Sequence, residues 1–365
     1  MTAGWSAPID SGFEPALEAL TVGRVGVDLY PQQSGVPLSQ VSSFAKFLGG
    51  TATNVAVGAA RLGRRSAVLT KVGADGFGDY VRQALADFGV DNRFVGTAPE
   101  LLTPVVFCAL DPPEDPPLLF YRLPTAPDLT LMARDVPWQL VSEVPLLWVT
   151  GTGVSAEPAR STQLEMLGRR GRPDSAAGRW TVLDLDWRPM FWPSPAEARE
   201  QYRRMLPLVS VAVGNRSEVE VAVGTSDPEQ AAHRLIECGV ELALVKMGAD
   251  GVLVATAESM TTVAPRPVEV VCGLGAGDAF GAAVVHGLLA GWPPVRIAHY
   301  ANAAGAIVAS RLACADAMPS LAEIAEIADT AEIAELAERA EPAERAEPAE
   351  RAAPADRHPV RKGTG

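Results

Sequence analysis

Short apolar runs alternate with Ala-, Glu- and Arg-rich stretches of helical period over about the first 320 residues of the chain. Leu20–Val27, Ala67–Val72, Leu146–Thr150, Trp180–Leu185, Val209–Val213 and Leu242–Lys246 read as strands, being short, apolar and bounded by turn-forming residues. Gly49-Gly50 opens a helical run through Asn54 to Leu62, and a second helix spans Phe77–Phe88, with Gly89 placed to cap its C-terminus. Strands that alternate with helices of this length indicate an α/β fold, a mostly parallel sheet covered by helices on both faces. Two segments, roughly 30–50 and 101–123, break the rhythm. In the second, Pro104–Leu110 and Leu118–Tyr121 form a strand pair around the Pro- and acid-rich Asp111–Pro117. These segments are expected to build a small β-sheet lid beside a main domain of residues 20–320, after an N-terminal extension of residues 1–19.

After Pro319 the pattern changes. The sequence becomes Ala/Glu-rich, "AEPAER" recurs at Ala340 and Ala346, and Pro342, Pro348 and Pro354 interrupt any helix. Residues 321–365 are expected to be a solvated, disordered tail, in preference to a partner-binding module.

Composition narrows the function classes. Apolar residues make up 48% of the chain, enough for a buried core. The formal charge of −13 argues against nucleic acid and anionic membranes as partners, since both select basic surfaces. Cys108, Cys238, Cys272 and Cys314 are widely spaced and suit buried thiols in a reducing compartment. Neither a signal peptide nor a membrane-length apolar stretch is visible, so a cytoplasmic protein is expected.

The most informative segment is Gly273-Leu274-Gly275-Ala276-Gly277-Asp278, which precedes a helical run to Leu289. Small residues let the backbone approach an anion, and amides that open a helix point at it. An acid there can take a proton from an attacking hydroxyl; it can equally be a residue that complements the helix dipole. Lys246 to Gly251, with Gly248 between, reads as a turn near phosphates or as a plain hairpin turn. Asn215 and Glu218 form either a helix capping box or a nucleotide contact and a hard oxygen ligand for Mg²⁺. Asp184, Asp186 and Arg188 sit where a central strand ends, the place where parallel sheets gather ligands. They form an ion-pair cluster or a ligand site, and Arg188 and Arg122 can each grip a carboxylate with two hydrogen bonds. Asp28, Gly49, Gly50 and Asn54 either contact a ligand or end a strand and start a helix. No early G-x-G-x-x-G is present, which argues against a dinucleotide-dependent oxidoreductase.

Taken in this order, these residues resemble the ribokinase-like (PfkB) carbohydrate kinases over about Leu20 to Ile327. Gly49-Gly50 with Asn54 is similar to the family's N-terminal signature and Gly275–Asp278 to its C-terminal one. Asn215 to Glu218 matches its Asn-x-x-Glu element. The resemblance implies a doubly wound α/β domain with a β-sheet lid, ATP and Mg²⁺ as cofactors, and Asp278 as catalytic base beside Gly275, Ala276 and Gly277. It implies that Asn215, Lys246, Gly248, Gly251 and Asn302 face ATP, that Glu218 orders Mg²⁺ through water, and that the lid can pair two subunits as a homodimer. Val22-Gly23-Arg24, Ser43 to Gly50, Tyr121-Arg122, Asp184 to Pro189 and Asp316 to Pro319 resemble the members that phosphorylate a keto sugar acid. Those acting on 5-dehydro-2-deoxygluconate in myo-inositol catabolism come first, and those acting on 2-dehydro-3-deoxygluconate second. Asp28, Gly49, Gly50, Asn54 and Asp186 would then hold the sugar acid, and Arg122 and Arg188 would meet its carboxylate. Cys272-Gly273 stands where many members carry an Asp-Thr pair that helps hold a monovalent cation, so the resemblance does not extend to potassium activation. A sugar- or nucleotide-binding protein that has lost the chemistry is the alternative from another class.

Overall fold

The computed structural model describes residues 16–328 apart from 34, 111 and 113–115. Its main sheet has nine strands, and seven of them run parallel. They are β1 (Ala19–Val22), β4 (Ser66–Val72), β5 (Val95–Thr97), β8 (Leu146–Thr150), β9 (Trp180–Asp184), β10 (Val211–Asn215) and β11 (Leu242–Lys246). Two antiparallel strands, β12 (Val252–Ala255) and β13 (Met260–Val263), finish one edge, in the order β13-β12-β11-β10-β9-β8-β1-β4-β5.

Because successive strand residues point to opposite faces, two cores form. Trp148, Val211 and Val213 join one of them, against helices α1 (Thr51–Arg61), α2 (Gly76–Asp87), α8 (Ala276–Leu289) and α9 (Pro294–Ala309). Leu147, Val149 and Ala212 join the other. It is covered by α3 (Trp138–Glu143), α4 (Ala159–Arg170), α5 (Pro195–Met205), α6 (Arg216–Val223) and α7 (Pro228–Glu237). Residues 321–328 are helical, and Ile324 and Ala328 are buried in the first core. The rest of the expected tail lies outside the described residues. No helix among the described residues is long and apolar enough to cross a membrane.

The lid is a separate four-stranded sheet of β2 (Gly26–Pro31), β3 (Phe44–Gly49), β6 (Val105–Cys108) and β7 (Leu118–Tyr121), in the order β3-β2-β6-β7. Here the expectation of one strand over Leu20–Val27 fails. The run divides into β1 in the main sheet and β2 in the lid, with a break at Gly23-Val25. Gly23 has φ 147°, a backbone setting that few side chains tolerate, and a Cβ there would lie 2.8 Å from Thr150 Oγ1. Asp28 therefore stands within a lid strand instead of ending a main-sheet strand. Tyr30 and Cys108 of the lid pack with Cys272 and Cys314 in a third apolar cluster that joins the lid to the glycine-rich loop. These three cysteines are buried free thiols as expected, while Cys238 is half-buried.

Candidate active site

The carboxyl ends of the parallel strands, the start of α8 and the inner face of the lid enclose a cavity of about 260 Å³. One end is built first by backbone. Gly275 precedes α8 with φ 81°, and a Cβ there would lie 3.0 Å from Cys314, so a side chain is excluded twice over. No side chain caps the helix, which leaves its first amides for a ligand. Lys246, at the end of β11, reaches across this turn: its Nζ lies 3.3 Å from where a Cβ of Gly277 would be. Burial works against its charge, but the carboxylates of Glu218, Asp184 and Asp278 outweigh it and hold the ammonium above its ordinary pKa. Amides and an ammonium facing one space suit a polyphosphate.

Asp278 lies in the first turn of α8, where its Oδ2 accepts from Asn54 Nδ2 at 2.7 Å. Burial pushes its carboxyl up to about 6, against the Asn54 hydrogen bond, with nearby Asp186 adding to the rise. A carboxylate near neutrality is matched to proton abstraction. The Oδ1 of Asn54 is buried without a partner. Asp28, on the inner face of β2, is pushed up to about 7 by burial, opposed by Arg24 and reinforced by Asp278. Gly49 makes room for it, since a Cβ there would clash with the Asp28 carboxylate.

Asp28→Asn offers a test of this electrostatic setting. A carboxyl raised from 3.8 to about 7 on folding costs stability once it ionises, and the cost is complete above pH 7 and absent below 3.8. The variant is expected to gain up to about 4 kcal/mol in urea unfolding at pH 8. The gain vanishes below pH 4, and an equal gain at both pH values would show that charge is not the cause.

At the end of β9, Asp184 and, two residues on, Asp186 behave oppositely. Burial lifts Asp184 well above the usual carboxylate range despite Lys246. Burial also disfavours Asp186, but Arg24, Arg188 and the Thr152 hydroxyl, which donates at 2.5 Å, hold it below that range. Arg188 stands between Asp186 at 3.4 Å and Glu218 at 4.0 Å. Asn215 and Glu218 take the capping arrangement. The capping box forms, with Glu218 N donating to Asn215 Oδ1 at 2.9 Å and Asn215 N to Glu218 Oε2 at 2.7 Å. The other carboxylate oxygen of Glu218 faces Arg188.

The cavity thus gathers Asp28, Gly50, Asn54, Asp186 and Arg188, with Gly49 beside Gly50. Asn215, Glu218, Lys246, Gly275, Gly277 and Asp278 line it too, with Ala276 opening α8. Four expected residues stand off it. Gly248 and Gly251 flank the turn between β11 and β12. Asn302, on α9, donates to Ala264 O at 2.8 Å and so holds the chain after β13. Arg122 pairs with Asp128 at 2.9 Å, and its guanidinium lies over the Phe191 ring at 4.6 Å. Arg24 and Thr51, which line the cavity, and Thr152, which holds Asp186 without lining it, were not expected; a charged residue after Gly23 inside an apolar run was the available signal for Arg24.

This donor set fits ATP with a divalent metal. Among the described residues no group of three or more His, Cys, Asp and Glu side chains could by itself hold a metal. Mg²⁺ commonly sits on one or two carboxylates plus substrate phosphates, and Glu218 is among the carboxylates that line the cavity.

Residues 17–321 match the family model described as pfkB family carbohydrate kinase. The chain is 31% identical to a 5-dehydro-2-deoxygluconokinase of Geobacillus thermodenitrificans, over 85% of this chain and 92% of the relative. A kinase of the same name from Clostridium tetani is 28% identical, over 85% and 92%. Among solved structures, a putative ribokinase II from E. coli in complex with ATP and Mg²⁺ is 25% identical with a TM-score of 0.77, covering 86% of this chain and 99% of that one. A fructokinase from Vibrio cholerae, bound to fructose, ADP and calcium, is 26% identical with a TM-score of 0.74, over 86% and 99%. A site that pairs a raised carboxylate with an uncapped helix start, on a fold matched along nearly its whole described length, leads to one assignment: the chain belongs to the pfkB family of carbohydrate kinases.

Proposed function

We propose that this kinase transfers the γ-phosphoryl group of ATP to the terminal hydroxyl of a keto sugar acid, 5-dehydro-2-deoxygluconate, in myo-inositol catabolism. The observation that carries the reading is Asp278 in the first turn of α8, with arginines across the same cavity. The acceptor lies against the lid, where Asp28 and the unpartnered Oδ1 of Asn54 receive its hydroxyls and Arg188 meets its charge. Asp278 takes the proton as the hydroxyl attacks. The amides of Gly275 to Gly277 and the Lys246 ammonium stabilise the charge that spreads over the transferred group. Mg²⁺ would neutralise the phosphates, with Glu218 ordering its waters. The lid strands exclude water and so limit ATP hydrolysis.

The test is ADP release from Mg-ATP against 5-dehydro-2-deoxygluconate, 2-dehydro-3-deoxygluconate, fructose and ribose. A strong preference for the first is expected; preference for the second keeps a sugar-acid kinase and changes its acceptor, while preference for a neutral sugar overturns the acid reading. Cys272 is buried in an apolar cluster and supplies no carboxylate, so turnover is expected to be unchanged when tetramethylammonium replaces potassium. A homodimer through the lid belongs to the same proposal. Leu119 and Tyr121 on the edge strand β7 are 48% and 64% exposed. Sedimentation equilibrium should give twice the chain mass, and Tyr121→Lys should return it to the monomer.

A further inference from the structure

We propose that Arg24, and not Arg122, joins Arg188 in making this kinase specific for an acidic acceptor, by binding the acceptor's carboxylate beside the start of α1. The inference rests on the sugar-acid reading above and names the side chain that reads the acid.

Arg24 occupies the break between β1 and β2, lines the cavity and is 8% exposed. Its hydrogen bonds all leave from Nη2: one reaches Thr51 Oγ1 at 2.5 Å and two reach the oxygens of Asp186 at 3.4 Å each. Its Nε is buried without a partner, so the guanidinium fork is only partly used. Asp186 is also a shared partner. It pairs with Arg188 at 3.4 Å and accepts from Thr152 at 2.5 Å, so one carboxylate serves two guanidinium groups. Asp28 and Asp278 lie close enough for Arg24 to favour their charged forms, but neither accepts a hydrogen bond from it, so the buried Nε gains an acceptor only when a ligand carboxylate supplies one.

The surroundings favour an anion from the ligand. Helix α1 starts at Gly50 with no side-chain cap and no acid in its first turn, and Thr51, which accepts from Arg24, lines the cavity. An entering carboxylate therefore meets the positive end of α1 and a guanidinium together. Phe120 of the lid and Phe191 of the main domain lie 5.6 and 5.8 Å from the Arg24 guanidinium and limit its movement. Arg122 has none of this freedom: it is 7% exposed, stands off the cavity and is committed to Asp128.

The experiment compares the sugar acid with its primary amide, a neutral near-isostere, in initial-rate assays of wild type, Arg24→Gln, Arg24→Lys and Arg122→Gln. Wild type is expected to prefer the acid. Arg24→Gln should raise the KM for the acid by about 10- to 100-fold, the worth of a hydrogen bond to a charged group, while the KM values for the amide and for ATP change little. A purely structural Arg24 would move all three together. Arg24→Lys keeps the charge without the fork and should show a smaller loss in the same direction, which decides the matter if the glutamine variant does not fold. Arg122→Gln should keep the wild-type ratio of acid to amide. The proposal is overturned if both Arg24 variants retain that ratio or if Arg122→Gln abolishes it. A wild type that does not distinguish acid from amide overturns the sugar-acid reading as well, a separate result.

Discussion

Asp278→Asn is expected to lower turnover by about 10²–10⁴-fold, the range for a general base, with the KM for ATP and the melting temperature nearly unchanged. Asparagine has the shape of aspartate and can still accept from Asn54 Nδ2 at the 2.7 Å seen here, but it cannot take the hydroxyl proton. Folding should not suffer. Burial raises the Asp278 carboxyl from 3.8 to about 6, so its ionisation opposes folding above that pH, and a neutral replacement is no less stable at pH 8. The pH profile provides a second readout. Wild-type turnover should fall as pH drops through about 6, where the base is protonated, and the residual rate of the variant should lose that limb. Near-normal turnover in the variant would remove Asp278 from the chemistry, whatever its place in the cavity.

The second large effect is structural. Asp186→Ala removes the carboxylate shared by Arg24, Arg188 and Thr152, and is expected to cost about 3 kcal/mol in urea unfolding at pH 7.5. Most of this comes from Arg24, whose side chain is 9% exposed; that of Arg188 is 36% exposed, and water screens its share. Backbone strain adds to it, because Asp186 has φ 34°, a setting where aspartate and asparagine are more at ease than alanine. Asp186→Asn should therefore lose less, keeping the conformation and the Thr152 hydroxyl contact. The charge contribution has a definite sign. Asp186 sits below its ordinary 3.8 in the folded state, so its contribution is full at pH 7 and is lost as pH falls through the folded value. The gap between wild type and Asp186→Ala should narrow to the strain contribution as pH falls from 3.8 through the lower folded value, and an undiminished gap there would assign the whole loss to strain.

Asp186 also marks where the sequence stops being enough. The runs that became β8 and β11 were legible to the residue, because strands buried on both faces are continuously apolar and cannot be mistaken for polar loops. The helix at Phe77–Phe88 was equally plain: Asp75 accepts from the amides of Phe77 and Gly78, and Gly89 has φ 75° after the last turn. Strands β5 and β13 escaped notice, since short edge strands carry too few apolar positions to stand out from loops.

What the sequence by itself determined was the class of the fold and most of the chemistry of the site. Periodicity records which faces are buried, and a glycine-rich turn before an acid records a backbone that must approach an anion. What the tertiary structure decided was which charges share the cavity and with what spare capacity. Arg122 and Arg24 are alike as arginines in apolar surroundings, yet Asp128 occupies the first, while the second shares Asp186 with Arg188. That allocation depends on residues 162 positions apart meeting over the ends of parallel strands, as Arg24 and Asp186 do. Local pattern carries no record of such a meeting, because it arises from how the chain closes a sheet and folds a lid over it.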